Sequence, residues 1–84
     1  MKKSILLLGP LCSGKTFRMR EILSETSTDF VLDGALSVDE VISFNLKALK
    51  AKSFCIITSL LNPEDFSETE LSNFNVIICE RFIL

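Results

Sequence analysis

The sequence predicts a three-layer α/β fold, with four parallel strands in the order 4-1-3-2 and about three helices covering them. Three observations predict it. Short apolar runs alternate with amphipathic stretches along the whole chain. The runs are apolar on both faces, as strands of a covered parallel sheet are. Right-handed crossovers, which such units almost always use, leave few strand orders open. The 84 residues, 48% hydrophobic and 24% charged with net charge −2, are expected to form one domain spanning 1–84. A disordered tail would need low hydrophobicity and high net charge, so that class is excluded.

Each element has its own signal. Ser4–Leu8 (SILLL) reads as the first strand. From Lys15 to about Glu25, Phe17, Met19, Ile22 and Leu23 recur at helical spacing, with Arg18, Arg20, Glu21 and Glu25 outward. Residues 29–33 (DFVLD) form a second strand, ended by Gly34. Residues 37–52 form the strongest helix, with Ser37 and Glu40 as a capping box and a stripe of Val38, Val41, Ile42, Leu46 and Leu49. Lys47, Lys50 and Lys52 suit the dipole at its C-terminal end. Residues 53–60 (SFCIITSL) are a third strand, and Asn62-Pro63 marks a turn. Ser67 and Glu70 form a second capping box, opening a short helix through Leu71 to about Phe74. Residues 75–79 (NVIIC) are the fourth strand.

Charge is unevenly placed. Residues 1–28 carry five Lys/Arg against two Glu, a net +3, while 29–84 carry four against nine acids, a net −5. An anionic ligand, if there is one, is therefore expected at the N-terminal end. The overall acidity gives nucleic acid no support as a partner. No run approaches the ~18–20 apolar residues of a spanning helix. The opening MKKSILLLGPLC has the outline of a lipoprotein signal. It fails because Gly9-Pro10 breaks a short apolar run and Leu11 is not the small residue that cleavage needs. Cys12, Cys55 and Cys79 are odd in number with no CxxC pair, and histidine is absent, so neither a disulfide framework nor a zinc site is expected. A reducing cytoplasm is the expected setting.

The chemistry is carried by Gly9-Pro10-Leu11-Cys12-Ser13-Gly14-Lys15-Thr16, a complete GxxxxGK[ST] string, the Walker A or P-loop motif. Gly9 and Gly14 let backbone turn tightly and approach phosphate oxygens. Loop N–H groups and the N-terminus of the following helix, through Phe17, point at the anion. Pro10 contributes no N–H. Lys15 supplies a point charge to the β- and γ-phosphates, and the Thr16 hydroxyl a ligand to Mg²⁺. The string also sits between a predicted strand and a predicted helix, as the motif requires.

A carboxylate at the end of a neighbouring strand completes such a site, and Asp33 fits, with a turn-initiating aspartate before Gly34 as the alternative. The position after it, where many hydrolysing enzymes carry a glutamate base, holds Gly34. Asp39 and Glu40 are better read as helix caps. Thr58-Ser59, ending the third strand, would lie beside the loop if that strand neighbours the first; a polar residue there can sense the γ-phosphate, with an ordinary strand end as the equal alternative. Arg81 has the position of an arginine finger, with a solvated terminal arginine as the plainer reading. Cys12 lies within the loop, where a helix N-terminus lowers a thiol's pKa, although a small gap-filler is the plainer role.

These residues resemble the P-loop NTPase superfamily. The loop with Arg18 and Arg20 is similar to the GPMFSGKT loop of type II thymidine kinases. The order Phe30-Val31-Leu32-Asp33, a helix, Ile56-Ile57-Thr58-Ser59, Asn62-Pro63, Leu71-Ser72-Asn73, Val76-Ile77-Ile78 and Arg81 resembles FtsK/HerA-like ATPases. The resemblance implies a P-loop NTPase-like fold that binds ATP (or GTP) with Mg²⁺, with Lys15, Asp33 and Thr58 in catalysis and Thr16 and Asp33 on the metal. Gly34, Leu60 in place of a sensor glutamine, and the missing extra strands depart from that pattern. Nucleotide binding is thus better supported than hydrolysis. A small nucleoside or nucleotide kinase and a non-hydrolysing, nucleotide-dependent interaction module are the alternatives. Three helices give a four-stranded sheet little cover, so a homo-oligomer or a partner protein is expected.

Overall fold

The computed structural model of the chain describes residues 3–10, 14–26 and 28–79. Its elements are β1 (Ser4–Leu8), α1 (Lys15–Glu25), β2 (Phe30–Ala35), α2 (Val38–Lys50), β3 (Cys55–Ser59), a 3₁₀ turn (Pro63–Asp65), α3 (Glu68–Leu71) and β4 (Phe74–Ile78). The strands form a single all-parallel sheet in the order β2-β3-β1-β4, which is 4-1-3-2 counted from the opposite edge. β1 and β3 are central and almost wholly buried, which is why their sequences are apolar on both faces.

Alternate residues of those strands feed two separate cores. Leu7 and Ile56 pack with Met19 under α1. Leu6, Leu8, Cys55 and Ile57 pack with Val41 and Ala48 of α2, and with Phe66 and Phe74, on the other face. Helix, sheet and helix make three layers. On the α2 side the edge is closed by Phe30 and Phe44, whose rings meet edge to face with centroids 6.3 Å apart.

α2 is turned from the orientation expected. Its buried positions are Val41, Asn45 and Ala48, whereas Leu46 and Leu49 are 52% and 41% exposed. The cause is a polar core contact. Asn45 Oδ1 accepts from Ser4 Oγ at 2.5 Å, and Ser4 Oγ accepts from Cys55 N at 3.0 Å, so a hydrophilic residue takes the centre of the buried face. At the helix start Ser37 Oγ accepts from Glu40 N. At its end Lys52 N bonds Leu49 O and Ser53 N bonds Ala48 O, a Schellman motif with Lys52 in the left-handed region at φ 56°.

Two other boundaries move. α3 stops at Leu71, where Asn73 Nδ2 donates to Thr69 O and competes with further helix, and Phe74 opens β4. The capping box of Ser67 and Glu70 is complete, with both reciprocal bonds formed. β2 does not end at Asp33. It runs to Ala35 through a register shift between Asp33 and Ala35, with Gly34 at φ 87°. That is a β-bulge built on a left-handed glycine.

Candidate functional site

The motif's flanks lie where the sequence places them. Beyond Leu8 the central ladder continues for one more residue, because Cys79 N donates to Leu8 O at 2.7 Å and Gly9 N to Ser59 O at 3.4 Å. Gly14 is the N-cap of α1 at φ 78°, a left-handed conformation that glycine adopts without strain. Among the described residues no side chain caps this helix, and its first turn carries no acid. The positive end of the α1 dipole is therefore not neutralised by a carboxylate of the helix itself. Leu11, Cys12 and Ser13 lie outside the described residues, as do Arg81 and the tail 82–84.

Lys15 reaches back to the residues that follow β1. Its Nζ donates to Gly9 O at 2.5 Å and to Pro10 O at 2.8 Å. The ammonium thus stands at the C-terminal end of β1, between the strand and the helix. Thr16, one residue on, points to the neighbouring strands, where its Oγ1 donates to Asp33 Oδ2 across 3.5 Å. Phe17 does not join the buried stripe of Met19, Ile22 and Leu23. It is 67% exposed and helps line a cavity of about 300 Å³ beside Gly14, with Arg18, Glu21 and Ile77.

Asp33 and Thr58 are directly opposite in the β2–β3 ladder. The Thr58 hydroxyl donates to Asp33 Oδ1 and accepts from Gly34 N at 2.8 Å. Ser59 turns to the other side and donates to Ala35 O at 2.7 Å. The structure therefore brings together Gly9, Pro10, Gly14, Lys15, Thr16, Asp33 and Thr58 at the C-terminal ends of β1, β2 and β3. Asp39 and Glu40 belong to the first turn of α2, with the Glu40 N–H engaged by Ser37.

The donors suit a hard cation. Mg²⁺ takes oxygen ligands at about 2.0–2.1 Å, so neighbouring and opposite ligands of one octahedron lie roughly 3 and 4 Å apart. The Thr16–Asp33 separation of 3.5 Å would close by about half an ångström for the two to be neighbouring ligands. Among the described residues no three His, Cys, Asp or Glu side chains group as a metal site. A dication here would lean on two protein oxygens and take its remaining ligands from a bound phosphate and water, as Mg²⁺ commonly does.

Sequence reasoning missed the link from Gly34 through Thr58 to Asp33. The available signal was Asp-Gly in the middle of an apolar strand followed by a buried Ala, which marks a bulge as well as a strand end. Among the described residues no helix is long and apolar enough to cross a membrane. In comparisons with known proteins, no family model matched the chain, and no curated protein or solved structure did either.

Proposed function

We propose that the chain binds a nucleoside triphosphate with Mg²⁺, ATP foremost and GTP as the variant, through residues 9–16 and Asp33. The observation that carries this reading is the meeting of Thr16 and Asp33 at 3.5 Å, beside a lysine held at the mouth of the motif. The motif assigns Thr16 to Mg²⁺ and the strand end assigns Asp33 to the same ion, and their contact supports that pairing. On this reading Lys15 exchanges its carbonyl partners for β- and γ-phosphate oxygens, and the uncapped start of α1 faces the same anion. Thr16 Oγ1 and Asp33 Oδ2 would hold Mg²⁺, which when bound would supply neutralisation of phosphate charge. On this reading the ribose and base would enter the cavity of about 300 Å³ beside Gly14 and Phe17.

ATP hydrolysis is the activity this site would support, at a low rate. Gly34 stands where a general base would follow Asp33, and its N–H is bonded to Thr58. That observation favours a second reading, a nucleotide-dependent interaction module that binds without turnover. A kinase reading, with Asp33 near an acceptor, has no comparable support. Titration of a fluorescent ATP analogue with Mg²⁺ against wild type and Lys15→Ala tests the shared premise, with phosphate release followed in the same samples. Wild-type binding that Lys15→Ala loses is expected. Equal binding by both, or by neither, rejects the proposal. Slow release supports the hydrolase reading, absent release the module, and release only with an added nucleoside the kinase.

A further inference from the structure

Thr58 is 1% exposed, and both capacities of its hydroxyl that matter here are used. A hydroxyl has one proton to give. Because Gly34 N–H donates to Thr58 Oγ1, that oxygen is an acceptor on one side, and its own proton goes to Asp33 Oδ1. The direction of the chain is fixed: amide to hydroxyl to carboxylate. Asp33 Oδ2 is left turned to Thr16.

The bulge makes this possible. In a regular ladder the N–H of residue 34 would be aligned with β3 backbone. The register shift between Asp33 and Ala35 removes it from that row, and at φ 87° Gly34 aims it at a side chain instead. Parallel pairing then puts Thr58 directly across from Asp33, on the face of the sheet that lies under α1. One carboxylate oxygen is committed to the protein and the other is presented at the loop.

Resting on the nucleotide reading above, we propose that Thr58 is a positioning residue, which holds the Asp33 carboxylate in the one orientation that offers Oδ2 to the nucleotide's Mg²⁺. It differs from the γ-phosphate sensor that the sequence suggested, because the hydroxyl is directed at Asp33 from within the sheet. Without the bond the carboxylate turns about its terminal torsion, which is broad for Asp. Outer-shell hydrogen bonds of this kind typically set metal affinity by 10–100-fold.

The test separates metal from nucleotide. Wild type, Thr58→Val and Thr58→Ser are titrated with a fluorescent ATP analogue in excess EDTA, and Mn²⁺ binding to the nucleotide complex is measured by electron paramagnetic resonance. Thermal melts report folding. Thr58→Val is expected to weaken Mn²⁺ about 10–100-fold while leaving EDTA affinity within about 2-fold, and Thr58→Ser to restore the metal constant. If Thr58→Val does not fold, Thr58→Ala carries the same comparison. A Val or Ala variant with the wild-type Mn²⁺ constant overturns the positioning role while the nucleotide reading stands. Equal loss of metal-free and metal-bound affinity also overturns it, because that is the mark of a general lesion. Wild type that binds no nucleotide takes the reading and the inference down together.

Discussion

Ser4 and Asn45, forty-one positions apart in the chain, meet in the core beneath α2, with Ser4 Oγ donating to Asn45 Oδ1 at 2.5 Å. The same serine oxygen receives the Cys55 amide, and Cys55 Sγ lies 3.6 Å from Asn45 Oδ1. Among the described residues no buried side-chain nitrogen or oxygen lacks a partner, so this group is closed. Truncating one member strands the others. Ser4→Ala is expected to destabilise the fold by about 1–3 kcal/mol, the cost of an unsatisfied buried polar group. Combined with Asn45→Leu, the total should fall short of the sum of the two single changes. Urea denaturation of the three variants measures this, and strict additivity would show that the network is not a unit.

Stability should also report on Cys55 through pH. Burial pushes its thiol above the ordinary value near 9, against smaller opposing effects of the bond with Ser4 and of its own backbone. The raised pKa is that of the folded state, so the unfolded chain loses this proton first as pH rises. The contribution is whole below about pH 9 and is lost as pH climbs through the folded value. Melting temperatures of wild type should therefore fall more steeply above pH 9 than those of Cys55→Ala. Parallel curves would contradict the assignment.

At the end of α2, Lys52 occupies a conformation that costs a side-chain-bearing residue about 1–2 kcal/mol. Glycine takes it freely but loses more entropy on folding. Lys52→Gly is expected to gain about 0.5–1 kcal/mol net, read as a higher urea midpoint with an unchanged slope.

Gly34 makes the converse case. A Cβ added there would meet nothing within 4 Å, so only its backbone angle resists substitution. Gly34→Ala should cost about 1–2 kcal/mol and, by relaxing the bulge, weaken Mg²⁺-dependent nucleotide binding more than binding in EDTA. A variant with full stability would show that the bulge does not need its glycine.

Association is the remaining expectation. β2, at one sheet edge, is bulged and carries Asp33, but β4 at the other edge reads FNVII, uncharged and in unbroken register with β1. Ile78 on that edge is 54% exposed. Edges without charge, proline or a bulge invite pairing. Light scattering at tens of micromolar should give a mass above 9.4 kDa, lowered by Ile78→Lys. A monomeric wild type with no recovered partner would sink this expectation.

Much of the fold was legible because its signals are local. The SILLL and CIIT runs, the box of Ser67 and Glu70, and the glycines of the motif each act within a few residues. What stayed hidden depends on pairing between distant segments. The apolar stripe of α2 points to the wrong face, because the core takes Asn45 through its bond to Ser4, with Ala48 beside it. The placement of Lys15, Thr16 and Asp33 followed from the motif. The partner of Asp33 did not, because only the β2–β3 register and the bulge reveal that Thr58 stands opposite it.

The central strand has one further consequence. Ser4 begins β1 and anchors the buried network, while Gly9 follows its last residue and opens the proposed phosphate loop. Four residues separate the two tasks, so they form separate handles on one rod. Changes at the Ser4 end should move the melting temperature and spare ligand affinity, and changes at the loop should do the reverse. A chain arranged this way can be hardened at its base while the proposed loop at its tip is redesigned.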